Sequence, residues 1–463
     1  MASSPLTDAA RRENAMTLAS AIGVSSTTAA ALLDACVVVT SRSDDEIACK
    51  IAADVRVLLE RTVTSVKFDN DASASVEIVI GDTKPQTRAQ SVAVATFADA
   101  IVIRRDAPVS NACVSIPGVL LRLTACYVAA AAIHAILGSN AVITMPDPFV
   151  LRLADLGVAL DRLGRPIQLD SAYLAGAGAI ANGLLWAAEG VDLRGSLTIA
   201  DDDLVGDGNL NRQILFGLAD IGLSKAERLA IHAARLVPNL HLRPQTVRLQ
   251  ELDDRTDGPW LRRLIVAVDS RRARRALQRE MPGEVFDAST TDVREVVVHY
   301  NRQLTTAACM SCIYMPDEAE YTREQHIAEQ LGVAVDEVLT ERISVDAAAR
   351  IARRYPQMSA EAINGLAYDT LFKQLCAESV LTTPNGKRVL APFAFVSCLA
   401  GTLLLLEIVR RLAPGSQGYS DNYWRVSAWH PPLAARRMLL PREPPCEFCG
   451  NALLAHVNAK LWG

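Results

Sequence analysis

Four of the ten cysteines lie in two Cys-x-x-Cys pairs, Cys309 with Cys312 and Cys446 with Cys449. Two such pairs supply four thiolates, which is the ligand set of a tetrahedral zinc site with no position left open for a substrate. A zinc ion held in this way stabilises a fold and takes no part in catalysis. The interval between the pairs is longer than in an ordinary zinc finger, so spacing alone does not join them, and redox-active pairs are the alternative.

A glycine-rich turn is the second feature that could do chemistry. Gly176 and Gly178 lie in the segment SAYLAGAGAIANGLLW, which predicts a short strand, a tight turn and a helix. Glycines at such a turn let a phosphate approach the backbone, and the helix offers free N–H groups and the positive end of its dipole. Asp201 follows at the distance where an acidic residue accepts hydrogen bonds from ribose hydroxyls. The pattern indicates nucleotide binding, and a structural turn is the alternative.

The strands around this turn predict where a ligand would bind. Apolar runs at 197–200, 264–268 and 295–300 alternate with helical segments, which favours a doubly wound, Rossmann-like parallel sheet. Ligands of such α/β sheets bind at the carboxyl ends of the strands. The glycine turn, Asp201 and Asp269 all fall at those ends, so we expect them to share one site.

The segment after Asp201 carries a more specific pattern. The run NLNRQ at 209–213, followed by Lys225, resembles the signature of the ThiF/MoeB/ubiquitin-activating-enzyme superfamily. GAGAIANG upstream, and VDSRRAR downstream with Asp269 and Arg274, fall where that family places its glycine loop and its DNxxxR segment.

The resemblance is strong over residues 171–312 and looser over 385–449. Two positions depart from the family pattern: Ala181 replaces the third glycine, and Ser270 replaces an asparagine. The alanine is a tolerated variant, whereas the serine removes one expected polar contact.

The resemblance implies an enzyme that uses MgATP to adenylate the C-terminal glycine of a ubiquitin-like protein, a sulfur carrier or occasionally a peptide. A carboxylate that attacks the α-phosphate meets like-charge repulsion, so cations must neutralise the phosphates as pyrophosphate leaves. Arg212 and Lys225 would supply that charge. The resemblance also assigns Asp201 to the ribose, Asn209 to ATP and Asp269 to Mg²⁺. The alternative treats these charged residues as ordinary surface groups.

Other classes of protein fit the motifs less well. An NAD-dependent oxidoreductase could use the same glycine turn, but it would not need the NLNRQ arginine and the lysine after it. A zinc-stabilised scaffold with an inactive nucleotide site would have no reason to keep every charged ATP residue.

The family resemblance also bears on the cysteines. Many members carry a tetrathiolate zinc site that joins the segment after the sheet to the C-terminus, which implies that the two Cys-x-x-Cys pairs bind one Zn²⁺. Ubiquitin-activating members pass the adenylated glycine to a cysteine as a thioester, whereas MoeB-type members stop at the adenylate. Cys376 lies in the helical insert where ubiquitin-activating relatives carry that cysteine, so we predict it to be the nucleophile by position alone. A structural helix cysteine is the alternative.

The elements that must position these residues divide the chain into four predicted regions. An N-terminal α/β domain covers 1–165, the active adenylation core 166–312, a helical insert 313–384, and a return to the core with the zinc-binding segment 385–463. The N-terminal domain shows no glycine loop, which fits an inactive adenylation half paired with the core as an intramolecular pseudo-dimer. It also fits an unrelated α/β domain that recognises the protein substrate.

The sequence predicts the positions of three strands and one helix in the N-terminal domain. We expect strands at 36–40, 76–80 and 100–103 and an apolar helix at 119–137 that ends before Gly138. In relatives the inactive half lends an arginine to ATP. Arg11 and Arg12 are candidates here, although a solvated helix face is the stronger interpretation.

Composition excludes several classes of protein. Half of the 463 residues are hydrophobic, 21% are charged and the net charge is −5, so neither disorder nor a dominant nucleic-acid or anionic-membrane surface is expected. The uncharged run at 389–406 is interpreted as a buried core segment, and Cys398 within it as a small buried hydrophobe. We expect a soluble, cytoplasmic, bacterial enzyme whose partners are a ubiquitin-like protein, a conjugating enzyme and, as a further option, a second copy of the chain.

Overall fold

The computed structural model describes residues 6–107, 116–316, 318–340, 342–368, 371–372, 375, 392–415, 418 and 420–463. The chain divides into two compact units, the first formed by Met1–Tyr314 with Pro392–Gly463 and the second by Met315–Ala391. Cys113 and the predicted nucleophile Cys376 lie outside the described residues.

The N-terminal part of the first unit is built on a six-stranded sheet. Its strands are β1 (Cys36–Ser41), β2 (Ser65–Lys67), β3 (Val76–Ile80), β4 (Gln90–Thr96), β5 (Ala100–Arg105) and β6 (Phe149–Arg152). They follow the order β2-β1-β3-β4-β5-β6, in which the first four are parallel and the last two are antiparallel to their neighbours. The strands predicted at 36–40, 76–80 and 100–103 are confirmed.

Four helices accompany this sheet. They are α1 (Asp8–Ile22), α2 (Ser26–Leu33), α3 (Glu46–Leu59) and α4 (Gly118–Leu137). Helix α4 confirms the predicted apolar helix; it ends at Leu137, and its C-cap Gly138 has a φ of +50°. By length and composition α4 could cross a membrane, and α1 with α2 pass the same test only as a pair bent by 111°. Almost every side chain of α4 is buried, against α3 and the strands β3 and β4, which is the environment of a core helix.

The second part of the first unit contains an eight-stranded sheet. Its strands are β7 (Ile167–Ala175), β8 (Leu193–Ala200), β9 (Leu240–Gln245), β10 (Arg263–Val266), β11 (Glu284–Thr291), β12 (Glu295–Arg302), β13 (Tyr423–Ser427) and β14 (Arg437–Met438). They follow the order β14-β13-β12-β11-β10-β7-β8-β9. Strands β9, β8, β7, β10 and β11 are parallel, which confirms the predicted Rossmann-like sheet. From β7 the chain continues to β8 and β9 on one side of β7 and then returns to β10 on the other side. This reversal of strand order opens a crevice between β7 and β10.

One predicted strand does not run parallel to its neighbour in the sheet. The run at 295–300 forms most of β12, but β12 pairs antiparallel with β11. Only three residues separate the two strands, and Asp292 in that loop has a φ of +50°. A parallel pair would need a much longer crossover connection, so a hairpin is the only pairing that this loop allows.

The other α-helices within the described residues are α5 (Ala179–Ala187), α6 (Lys225–Ala233), α7 (Arg271–Arg279), α8 (Met310–Ile313), α9 (Glu318–Leu331), α10 (Val335–Leu339), α11 (Val345–Arg354), α12 (Ala360–Ile363), α13 (Ala394–Leu412) and α14 (Ala452–Trp462). Helices α9 to α12 belong to the second unit, where Leu331, Ile351 and Phe372 are fully buried in a separate apolar core. The helical character predicted for this part of the chain is therefore confirmed over its described residues.

Helix α13 shows why the uncharged run at 389–406 is a core segment. The helix crosses α5 so closely that a Cβ on Gly401 would lie 2.2 Å from the backbone nitrogen of Leu184, and one on Gly183 would lie 2.7 Å from the Cα of Cys398. Backbone atoms cannot move aside as a side-chain end can, so glycine is required at both positions. Within the described part of the run, residues 393–406 are all buried, as predicted, and Pro392 is half-buried.

Candidate functional site

The glycine turn between β7 and α5 forms an open cradle. Gly176 has a φ of +92°, and a Cβ there would lie 3.0 Å from the carbonyl oxygen of Ala267, so only glycine fits without strain. A Cβ on Gly178 would find no atom nearer than 4.0 Å, which leaves free space beside it. Gly178 is also the N-cap of α5 and offers no capping side chain to the first helical N–H groups. These groups are therefore available to an anion that enters the cradle.

Asp201 fixes the turn from the end of β8. One of its carboxylate oxygens accepts a hydrogen bond from the backbone nitrogen of Ala177 at 2.6 Å, and the other accepts from the nitrogen of Asp203 at 2.8 Å. Burial raises the pKa of Asp201 above its ordinary value, and the neighbouring Asp203 acts in the same direction. The predicted role of Asp201 as a ribose acceptor stays a prediction.

Lys225 stands next to these carboxylates at the start of α6. Its ammonium nitrogen lies 2.8 Å from a carboxylate oxygen of Asp203, and its backbone nitrogen donates to the carbonyl of the same residue. The Lys225 residue is 9% exposed. The three consecutive aspartates at 201–203 each offer an oxygen within 4.8 Å of the others. This edge of the sheet therefore brings acidic oxygens and a shielded cation together.

A 3-10 turn, Asp207–Asn211, follows the aspartates and contains the first three residues of the NLNRQ segment. Asn209 accepts a hydrogen bond through Oδ1 from the nitrogen of Gly206 at 3.0 Å. Arg212 follows the turn, and its Nη1 donates to Glu13 Oε2 at 2.6 Å and to Asn211 Oδ1 at 2.7 Å. Glu13 belongs to α1, so the N-terminal domain reaches this segment directly.

Asn182 joins the glycine turn to the chain just after the NLNRQ segment. Its side-chain nitrogen donates to the carbonyl oxygens of Ala177 and Gly178, at 3.2 and 2.9 Å, and its Oδ1 accepts from the nitrogen of Leu215 at 3.1 Å. The sequence analysis missed this residue. The available signal was a single polar side chain inside the apolar start of a helix, and Asn182 is fully buried there.

Asp269 and Arg274 occupy different environments. Asp269 is exposed just beyond β10, and β10 lies beside β7, the strand that leads into the glycine turn. Ser270, which departs from the family pattern, is the N-cap of α7 and accepts a hydrogen bond from the backbone nitrogen of Ala273 at 2.9 Å. Arg274 is buried and donates to Asp287 at 2.8 Å, so it holds α7 against β11.

The four cysteines of the Cys-x-x-Cys pairs meet in one cluster, which we call the thiol cluster. Cys309 lies 3.7 Å from Cys312, 3.7 Å from Cys446 and 3.3 Å from Cys449, measured between sulfur atoms, and Cys312 lies 3.7 Å from Cys449. A zinc–sulfur bond of about 2.3 Å places the sulfurs of a tetrahedral site about 3.8 Å apart. The spacing fits one zinc ion at the centre of the cluster.

The backbone around the thiol cluster is held from β12. The carbonyl oxygen of Ala308 accepts hydrogen bonds from Asn301 at 2.9 Å and from Asn422 at 3.2 Å, and His299 Nε2 lies 3.1 Å from it. Burial lowers the pKa of His299, so a neutral ring with its proton on Nε2 suits this contact. These bonds fix the backbone next to Cys309.

The other cysteines of the described chain do not form a site. Cys126 and Cys398 are buried, while Cys36 and Cys49 are half-buried. Burial raises the pKa of the Cys398 thiol well above its ordinary value, which disfavours the reactive thiolate. Arg11 and Arg12 are exposed on α1, and it is Glu13, the next residue, that contacts the NLNRQ segment.

Comparisons with known proteins match two parts of the chain to family models. Residues 7–159 match the model of the E1 N-terminal domain, and residues 168–448 match the model of the ThiF family. An uncharacterised protein of Sinorhizobium fredii is 29% identical over 361 residues, which are 74% of this chain and 69% of that protein.

A second relative and a solved structure are more distant. Ubiquitin-like modifier-activating enzyme 7 of Mus musculus is 38% identical over 109 residues, which are 22% of this chain and 11% of the mouse protein. The crystal structure of Escherichia coli MccB matches with a TM-score of 0.37 and 16% identity, and the match covers 63% of this chain and 67% of MccB.

Proposed function

The chain belongs to the ThiF family of adenylating enzymes, and we propose that it activates the C-terminal glycine of a small ubiquitin-like protein. In this reaction a carboxylate oxygen of that glycine attacks the α-phosphorus of ATP, the bond to the β-phosphate breaks and pyrophosphate leaves. The Cys376 thiol then loses its proton to solvent, and its sulfur attacks the acyl carbon of the adenylate. The bond between acyl carbon and phosphate oxygen breaks, AMP leaves, and the thioester passes to a conjugating enzyme.

The observation that carries the adenylation step is the group of residues at the carboxyl edge of the sheet. The open cradle at Gly178 suits a phosphate, and Asp201 lies directly beside it. Lys225 and Arg212 supply positive charge, and Asn182 links the cradle to the chain just after the NLNRQ segment. Asp201 and Asn182 also serve the turn itself, whereas an open cradle together with two cations suits a triphosphate and has no use in a purely structural turn.

Each residue then has a chemical task. Asp201 would accept hydrogen bonds from the ribose hydroxyls, and Asn209 would contact the nucleotide. Arg212 and Lys225 would neutralise charge on the phosphates as pyrophosphate departs. Asp269, an exposed carboxylate at the end of β10, suits Mg²⁺, a hard cation that takes oxygen ligands. When bound, Mg²⁺ would offset phosphate charge so that the incoming carboxylate meets less repulsion.

The thiol cluster would bind one structural zinc ion through all four of its thiolates. Cys309 and Cys312 lie just after β12, whereas Cys446 and Cys449 come just before α14, so the ion would tie two distant parts of the chain together. Four sulfur ligands leave no position for a substrate, and the role of the metal is therefore stability.

The N-terminal domain would serve as the intramolecular partner of the adenylation core. Its α1 packs on the NLNRQ turn, which is the position that an inactive half of a pseudo-dimer would take. On this proposal the N-terminal domain completes the ATP site, and a chain that lacked it would adenylate poorly.

The thioester step is tested by the mass of the intact protein. Incubation of the full chain with MgATP and a panel of purified β-grasp proteins that end in glycine should add the mass of one modifier less one water. Because a thioester is cleaved by excess thiol, dithiothreitol should remove the adduct, and Cys376→Ala should not form it.

The matched control is Cys49→Ala, which removes a half-buried cysteine far along the chain from the proposed nucleophile and should form the adduct normally. An adduct that persists in Cys376→Ala would contradict the assignment of the nucleophile. Release of AMP and pyrophosphate without any thiol-labile adduct would favour the second candidate function, adenylation without a thioester step.

A further inference from the structure

Helix α1 is fitted closely to the turn that precedes Arg212. Thr7, the N-cap of α1, donates its hydroxyl to the carbonyl oxygen of Asp207 at 2.9 Å. A Cβ on Gly208 would lie 2.4 Å from Glu13 Oε1, so the glycine leaves room for this carboxylate. Helix α1 therefore places Glu13 over the turn, and Gly208, which has no side chain, leaves the space that the Glu13 carboxylate occupies.

The carboxylate of Glu13 engages one edge of the Arg212 guanidinium. Every hydrogen bond recorded for Arg212 within the described residues is made by Nη1: to Glu13 at 2.6 Å, to Asn211 at 2.7 Å and to the carbonyl of Gly208 at 3.5 Å. Nε and Nη2 remain available for a further acceptor. Arginine presents its donors in a rigid plane, so fixing one nitrogen orients the other two.

A second set of contacts fixes the backbone around Arg212. Asn14, the residue after Glu13, accepts through Oδ1 from Asn211 at 3.1 Å and donates to the carbonyl of Arg61 at 2.7 Å. Arg61, which lies just after α3, donates to the carbonyl oxygens of Leu210, Ile214 and Phe216 at 2.8, 3.0 and 2.8 Å. The N-terminal domain thus holds the side chain of Arg212 and the chain on either side of it.

We propose that Glu13 is a positioning residue for the adenylation reaction: it holds Arg212 by Nη1 and presents Nε and Nη2 to the phosphates of ATP. The inference rests on the proposed function, since it requires ATP in the site. The inference and simple electrostatics predict opposite effects of Glu13 on the affinity for ATP. A carboxylate near a triphosphate repels it, so Glu13 acting only as a charge would weaken ATP binding, whereas Glu13 acting as a positioning group strengthens it.

The test measures the binding of MgATP and of adenosine to the full chain. The dissociation constant for MgATP comes from isothermal titration calorimetry, and that for adenosine from competition against a fluorescent ATP analogue. We expect Glu13→Ala to weaken MgATP binding by about 10-fold, because a charge-assisted contact that orients the arginine is lost. Adenosine has no phosphate, so its affinity should change less than about 2-fold.

Two further variants complete the experiment. Glu13→Gln keeps the shape of the side chain and a neutral acceptor, so its MgATP affinity should lie between those of wild type and Glu13→Ala. Glu46→Gln, at an exposed acidic position on α3, should match wild type.

The outcomes separate the inference from the proposed function. If Arg212→Ala weakens MgATP binding but Glu13→Ala leaves it unchanged or makes it tighter, Glu13 does not position the arginine. Equal weakening of MgATP and adenosine, with a lower melting temperature, would assign Glu13 a structural role and overturn the inference. If the wild-type chain does not bind MgATP at all, the proposed function itself is wrong.

Discussion

Replacing Arg212 with alanine is expected to slow ATP–pyrophosphate exchange by at least about 100-fold, the usual effect of removing one preorganised donor from a developing charge. Exchange reports the reversible formation of the adenylate and does not depend on any later thioester step. It can be measured with labelled pyrophosphate, MgATP and the β-grasp proteins of the adduct experiment. Cys376→Ala should exchange at the wild-type rate, because its sulfur acts only after pyrophosphate has left.

The size of this effect follows from the position of Arg212. The residue is about one-fifth exposed, so its charge is screened by water less than that of a surface arginine. Arg235→Ala is the matched control, since Arg235 is an exposed arginine shortly after α6. A rate for Arg212→Ala within 3-fold of that for Arg235→Ala would show that Arg212 is not part of the adenylation machinery.

Replacing Cys446 with serine is expected to remove zinc and to destabilise the first unit severely. The thiol cluster joins residues that are far apart in the sequence, and metal binding contributes directly to folding where the ligands come together only in the folded chain. We expect a loss of roughly 4 kcal/mol or more in the free energy of unfolding, together with a zinc content that falls from one ion per chain to none. Elemental analysis and thermal unfolding with and without a chelator give both quantities.

Cys49→Ser is the control for this experiment, because it removes a half-buried thiol outside the thiol cluster and should keep its zinc. Redox activity is the competing interpretation of the two cysteine pairs. Wild-type protein that contains no zinc, but whose pairs oxidise and reduce reversibly, would establish that interpretation instead.

The parts of the site that the sequence could predict are those with a local signal. The glycine turn follows from Gly176 and Gly178, whose side-chain-free backbone is needed for a close approach, and the strand ends follow from apolar runs closed by aspartates. The thiol cluster follows from the spacing within each pair, although joining the two pairs required the family resemblance. The absence of charge over 389–406 also identified the apolar part of α13, whose residues 394–406 are all buried.

The parts that escaped prediction depend on contacts between distant residues. Glu13 and Arg61 look like ordinary helix-surface charges until α1 and the end of α3 are brought against the NLNRQ turn. Asn182 is a single polar residue in an apolar helix, and only the folded chain shows that its amide joins two loops. The predicted direction of β12 was wrong, because alternation of strands and helices predicts a parallel strand. The three-residue loop between β11 and β12 requires an antiparallel hairpin instead.

The most direct test of the central claim is whether the purified chain binds MgATP at the glycine turn, since this needs no knowledge of the protein substrate. Isothermal titration calorimetry should show one MgATP site per chain, with affinity that falls at least about 10-fold in Arg212→Ala, and no binding of NAD⁺. Binding of NAD⁺ with an affinity that does not depend on Arg212, and no binding of MgATP, would contradict the account and identify the turn as a dinucleotide site.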